Sequence, residues 1–182
     1  KTKKFKYTDE TKRDPTPDER NAVWAAGRIK DLGGSDGDKP FCLCVGFIRP
    51  HTPLHVPKQF FDMFPLKSVK APVIKPNDAK DCHYADVFDK DKKGLKYFRL
   101  LKESYPNLDS GLRAFTRAYL ASVAAVDECI GRIIDAVDKS PQKDNTIIVV
   151  TSDHGWNMGQ KDYLFKNSLW EESARVPLIV RA

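Results

Sequence analysis

No stretch of this sequence approaches the ~18–20 consecutive apolar residues that a helix needs to cross a bilayer, so no membrane span is expected. No secretory leader is expected within these residues either, since the first six carry four lysines and no apolar run follows them. The chain begins without Met, which reads as a processed chain or a piece of a longer one. Cysteine is sparse, and none of Cys42, Cys44, Cys82 and Cys129 forms a C-x-x-C pair, which excludes a zinc knuckle. Spacing leaves a Cys82–Cys129 pairing open. The one G-x-S-x-G match, Gly33-Gly34-Ser35-Asp36-Gly37, reads as a flexible loop following a helix rather than as a strand-borne nucleophile elbow, and there is no P-loop and no strand-borne G-x-G-x-x-G, which removes the nucleotide cradles. Internal repeats and low-complexity tracts are also lacking.

What is present is ordinary for a globular protein. The 182 residues suit one domain, with 41% hydrophobic and 31% charged residues. The net charge of +6 is uneven, because residues 1–30 hold nine Lys/Arg against five Asp/Glu. Nucleic-acid modules interleave basic residues with aromatics along one face. Only Phe5 and Tyr7 break up this arm, so it reads as a solvated terminus and no nucleic-acid partner is expected.

The chain alternates helix and strand signals. Thr16-Pro17-Asp18-Glu19 is a capping box with Pro at the first helical position. Trp24, Ala25, Arg28, Ile29 and Leu32 continue it as a stripe, and Gly33-Gly34 supplies the stop before a loop to Lys39. Phe41–Phe47 reads as a strand buried on both faces, as in a parallel sheet, with Cys42 and Cys44 as small buried hydrophobes on one face. Residues 58–108, broken by prolines, read as a long excursion with little regular structure. A second helix is expected over Ser110–Asp138, capped by Asp109. Thr146–Thr151 reads as a second buried strand and Val176–Arg181 as a third. Strand, crossover, helix and strand together predict an α/β sheet.

In such sheets ligands sit beyond the carboxyl ends of the strands. Ser152-Asp153-His154-Gly155 follows one strand, and a carboxylate beside an imidazole is a metal-ligating pair if the backbone turns, as Gly155 allows. Arg49-Pro50-His51-Thr52-Pro53 follows another, and fixes an imidazole on a stiff proline loop where it can donate to an oxyanion. Lys166 lies in a loop able to fold back over the strand ends and meet an anionic group. Trp156, Tyr163 and Trp170 read either as a wall for a sugar ring or as loop packing.

With these clusters placed, the sequence resembles the type I sulfatases, closest to the iduronate-2-sulfatase-like branch. The segments that carry the resemblance are Lys39-Pro40-Phe41 with Val45 to Pro53, Ala118 to Val123 with Asp127 and Gly131-Arg132, and Thr146 to Trp156. Lys166, Leu169 to Glu172 and Arg175 to Leu178 complete it. The resemblance implies an α/β fold, a three-layer α/β/α sandwich of the alkaline-phosphatase/sulfatase type, incomplete here, with residues 1–182 the central part of the catalytic domain. It implies that Asp153 and His154 ligate a divalent ion, usually Ca²⁺, although many members carry Asn at the position of His154 and imidazole is softer than Ca²⁺ prefers. It implies that His51 and Lys166 contact the sulfate and that Trp156 lies near the substrate. The reaction implied is hydrolysis of a sulfate ester on a carbohydrate such as an iduronate-2-sulfate-like sugar, in a secreted, periplasmic or lysosomal setting.

The nucleophile of that family is formylglycine, made from Cys in a C-x-P-S-R or C-x-A-S-R segment. None of the four cysteines here has that context, and the family's paired upstream aspartates are also missing. The formylglycine is therefore expected in an upstream segment, and the 182-residue chain alone is expected to be inactive. It is also expected to need the remainder of its own polypeptide, a partner or a second copy of itself to cover its strands. Two other readings stand beside this one: a metal-dependent phosphoesterase or mutase of the same superfamily, and a non-catalytic binding protein from a truncated gene.

Overall fold

A computed structural model of the protein describes residues 6–35, 39–82 and 93–182. The most basic stretch of the amino-terminal arm, residues 1–5, lies outside them. The chain divides into two compact units, one of Lys1–Pro65, Ala118–Thr146 and Ala182, the other of Leu66–Arg117 and Ile147–Arg181.

In the first unit, helix α1 runs Pro17–Ser35 and begins where the capping box places it. The Glu19 amide donates to Thr16 Oγ1 at 3.2 Å, and Glu19 Oε2 accepts from the Thr16 amide at 2.6 Å. Glu19 also takes a two-pronged contact from Arg13, at 2.7 and 2.6 Å, and this guanidinium holds its carboxyl below the usual range. The stripe is half right. Ala22, Ala25 and Ile29 are buried, whereas Trp24 is 55% exposed. Nor does Gly33-Gly34 end the helix, which continues to Ser35; two glycines weaken a helix without terminating it. Residues 36–38 of the expected loop lie outside the described residues.

The expected Phe41–Phe47 strand is absent. The segment joins no strand among the described residues, its Gly46 carbonyl accepting instead from Asn21 Nδ2 at 2.9 Å, and Phe41, Cys42, Cys44 and Gly46 are exposed. An apolar run forms a strand only if another strand accepts its backbone groups, and no described strand does so here. The two cysteines do share one face, as the period of two requires, but that face is turned outward.

Cys42, Cys44, Cys82 and Cys129 are all free thiols. Cys129 is 4% exposed, and burial pushes its thiol up to about 11. Cys42 and Cys44 are therefore expected to alkylate at pH 8 at least ~100-fold faster than Cys129, because the thiolate is the reacting form. Mass spectrometry of an iodoacetamide time course checks this, and comparable rates at the three positions would contradict the burial of Cys129.

Helix α2, Lys58–Asp62, follows the proline loop. The excursion over 58–108 is more ordered than its prolines suggest. It holds a 3-10 turn at Asp78–Asp81 and a twelve-residue helix α3, Lys93–Ser104. Four prolines bound this segment, but the run between Pro76 and Pro106 is long enough for a helix. Residues 83–92 lie outside the described residues. Helix α4 spans Leu108–Asp138. Its cap is Asn107, not Asp109: Asn107 Oδ1 accepts from the Ser110 amide at 2.8 Å, while Asp109 reaches forward to Arg113 at 2.7 Å.

In the second unit, β1 (Ile148–Thr151) and β2 (Leu178–Arg181) form a two-stranded antiparallel ribbon, with Ile148 opposite Arg181 and Thr151 opposite Leu178. Both strands are shorter than their apolar runs, and neither is buried on both faces, since Val149, Leu178, Ile179 and Val180 are exposed. The described elements are thus helices with an antiparallel pair, within the α/β class. A four-residue helix α5, Glu171–Ala174, precedes β2. The core of this unit is the loop between the strands. Tyr163, fully buried, lies on Gly94 of α3, where a Cβ would stand 2.0 Å from its ring. Phe165 meets Tyr97 edge-on at 5.6 Å.

Candidate active site

Strand β1 delivers Ser152-Asp153-His154-Gly155. Gly155 is required here, though not for its backbone dihedrals; among the described residues only Gly159 is a glycine with positive φ. It is required because two backbone carbonyls crowd it: a Cβ would stand 2.1 Å from Glu172 O and 3.0 Å from Arg175 O. The amides of Gly155 and Trp156 donate to Ser173 O at 2.8 Å and Glu172 O at 2.7 Å. These bonds lock the residue after His154 onto α5.

That lock orients the imidazole. His154 Nδ1 donates to Gly155 O at 2.9 Å, which leaves Nε2 as the acceptor. Lys166 Nζ donates to that Nε2 at 2.8 Å. Asp153 Oδ2 lies 3.6 Å from the same nitrogen, and its side chain is 86% exposed. A carboxylate oxygen, an imidazole lone pair and an ammonium therefore meet at one point on the strand end. Asp153, His154 and Lys166 are brought together at this strand end.

Trp156 is placed differently from a pocket wall. It is 8% exposed and wedged between Phe115, stacked at 6.2 Å, and Phe165, edge-on at 5.3 Å. Its ring supports the loop, and Tyr163 and Trp170, edge-on at 5.7 Å, do the same.

His51 belongs to the first unit and is exposed. Its loop is anchored by a residue that sequence reading passed over. Asp18, 4% exposed in the first turn of α1, accepts from the Ile48 amide at 2.7 Å and the Arg49 amide at 3.0 Å. The Arg49 guanidinium then donates to the carbonyls of His51, at 3.0 Å, and His55, at 3.2 Å. The peptide bonds before Pro50 and Pro53 are cis. The signal for Asp18 was hidden inside the capping box, where an acidic residue already has an explanation.

The donors present suit part of a divalent-ion site. Asp153 offers hard oxygen, and the carbonyl of Gly155 fixes the tautomer of His154 so that Nε2 carries the lone pair a ligating histidine requires, which in this structure accepts from Lys166 Nζ. Among the described residues no group of three or more His, Cys, Asp or Glu side chains gathers as a complete metal site.

Comparison with known proteins identifies the family. The family model described as Sulfatase matches residues 5–182. A sulfatase of Formosa agariphila is 36% identical over 165 residues, 89% of this chain and 30% of its own length. Iduronate 2-sulfatase of Homo sapiens is 32% identical over 166 residues, 90% of this chain and 30% of its own length. Among solved structures, a phosphonate monoester hydrolase of Agrobacterium radiobacter aligns with a TM-score of 0.68 at 29% identity, covering 89% of this chain and 32% of its own. The neighbours share the alkaline-phosphatase/sulfatase α/β fold. The chain spans about a third of the length of the curated relatives it matches.

Proposed function

The chain belongs to the sulfatase family, and we propose that it supplies the sulfate-facing and metal-facing half of a sulfuric ester hydrolase acting on a sulfated carbohydrate. The observation that carries this reading is the meeting of Lys166 Nζ and His154 Nε2 at 2.8 Å beside Asp153. Sulfatases generally use a divalent ion and a formylglycine. The ion proposed here is Ca²⁺, held in part by Asp153 and His154, and it would polarise the sulfate oxygens.

The chain's own residues do the rest. Asp153 and His154 present ligand atoms on a rigid strand end. The Lys166 ammonium, a point charge at the end of a long stem, neutralises charge that develops on the sulfate or the leaving oxygen. His51, on its Asp18-anchored loop, donates to a sulfate oxygen. Trp156 acts indirectly, by keeping the loop that carries Lys166 in place. No described helix is long and apolar enough to cross a membrane; a secreted, periplasmic or lysosomal location is part of the proposal. The exposed aliphatic faces of β1 and β2 support the remainder of the chain's own polypeptide, or a second copy, as a partner.

None of the four cysteines is followed by x-P-S-R or x-A-S-R, so purified 182-residue chain is expected not to turn over an aryl sulfate. Turnover abolished by Lys166→Ala would refute that expectation. The reading itself is tested in a chimera in which residues 39–182 replace the matching stretch of the Formosa agariphila sulfatase. Sulfate-ester hydrolysis is expected, with Lys166→Ala and Asp153→Ala each lowering it by ~10²–10³-fold. The likeness to a phosphonate monoester hydrolase supplies the rival. A chimera that prefers phosphonate monoesters over sulfate esters would establish that rival.

A further inference from the structure

We propose that Asn157, Ser168 and Ser173 are positioning residues whose triangle of polar side chains, closed by the two serine hydroxyl hydrogens around Asn157 Oδ1, holds Lys166 against His154; this rests on the reading of Lys166 and His154 as active-site groups. A lysine side chain is long and rotamer-rich, so a fixed ammonium needs a fixed backbone beneath it. The backbone of Lys166 is gripped on both sides. On one side, Phe165 O accepts from the Asn157 amide at 2.9 Å, and on the other the Ser168 amide donates back to Lys166 O at 2.9 Å.

The side chains close the grip. Ser168 Oγ lies 2.8 Å from both Asn157 Oδ1 and Ser173 Oγ, and Ser173 Oγ donates to Asn157 Oδ1 at 2.5 Å. Asn157 is fully buried and Ser173 is 3% exposed. Ser173 also takes the Gly155 amide on its carbonyl at 2.8 Å, and Gly155 is the residue whose own carbonyl fixes the tautomer of His154. One triangle therefore reaches both halves of the contact, His154 through Ser173 and Lys166 through Ser168.

The composition of the triangle argues against a bland packing role. Asn157 Nδ2 is buried with no hydrogen-bond partner among the described residues. Burying an amide and leaving its donor unmade is costly, and an aliphatic side chain would fill the site without that penalty. What Asn157 contributes that an aliphatic cannot is Oδ1, the acceptor shared by the two serines.

Trace acylation of the 182-residue chain, read lysine by lysine by mass spectrometry, tests this without any ester assay. In the unaltered chain Lys166 is expected to react roughly tenfold more slowly than exposed Lys139, the protection given by a closed local structure. His154→Ala should release Lys166 directly. Ser168→Ala should release it to a similar extent, and Ser168→Thr, which keeps the hydroxyl, should leave it slow. Lys161 is the internal reference, being held by Asp78 at 3.1 Å and Asp81 at 3.3 Å in the same unit. Release of Lys166 with Lys161 still slow supports the proposal. An unchanged Lys166 rate in Ser168→Ala, both lysines rising together, or Ser168→Thr behaving like Ser168→Ala would overturn it. Asn157→Leu is a second variant. If circular dichroism shows that it does not fold, Ser168→Ala carries the test. Failure of the sulfatase reading would appear in the chimera's ester preference and leave the labelling pattern untouched.

Discussion

Replacing Gly155 by alanine is expected to remove about 3 kcal/mol or more of stability, at or beyond the upper end of ordinary overpacking. The added Cβ would stand 2.1 Å from the carbonyl oxygen of Glu172 and 3.0 Å from that of Arg175. Both obstacles are backbone, so no side-chain rotation relieves them. The loop or α5 has to move, and either movement breaks the amide bonds from Gly155 to Ser173 and from Trp156 to Glu172, each worth about 1 kcal/mol. Against a domain stability of ~5–15 kcal/mol, that is a large fraction. Urea denaturation of the two proteins measures it. A midpoint within experimental scatter of the original would show that the backbones do not approach this closely. The same substitution should also speed acylation of Lys166, because its partner imidazole hangs from the displaced turn.

Asp18→Ala is expected to cost about 3 kcal/mol and to loosen the loop that carries His51. The carboxylate is 4% exposed and takes the amides of Ile48 at 2.7 Å and Arg49 at 3.0 Å. Hydrogen bonds to a charged group contribute about 1.5–3 kcal/mol, and the two amides would be left without their acceptor. Asp18→Asn keeps one acceptor oxygen and should lose roughly half as much. Limited proteolysis at residues 46–57, run beside the denaturation curve, separates loop release from global loss. If Asp18→Ala resists cleavage as well as the parent does, the carboxylate is not what holds the loop.

Both substitutions act on residues whose importance the sequence shows unevenly. Local signals were readable wherever the chain supplies its own partners. The capping box at Thr16–Glu19, the period of α4 and the end of β1 at Thr151 depend on neighbours within a few residues, and all three are legible in the sequence. Phe41–Phe47 failed for the opposite reason. Its composition is that of a buried strand, but a strand is a relation between two segments, and its partner is not written in the segment itself. Helix α3 was obscured by flanking prolines, and its most telling residue, Gly94, makes sense only once Tyr163 lies on it. Asp153, His154 and Lys166 were visible through motif and order. Asn157, Ser168 and Ser173 carry no local pattern, and only tertiary packing discloses that these three polar side chains meet at one spot.

The ribbon of β1 and β2 has a further property. A strand's register is normally enforced by burial, because a slip of one residue moves its apolar set to the wrong face. Here Val149 faces Val180 and Val150 faces Ile179, with the aliphatics Ile148 and Leu178 at the two ends of the ribbon, and every residue of β2 is exposed. Sliding β2 by one position would exchange one aliphatic face for another at little cost. The frame is set instead just past the ribbon's end, where the amides of Gly155 and Trp156 join the carbonyls of Ser173 and Glu172 across the same two stretches of chain. The turn that aims His154 is thus also the pin that tells β2 where to start.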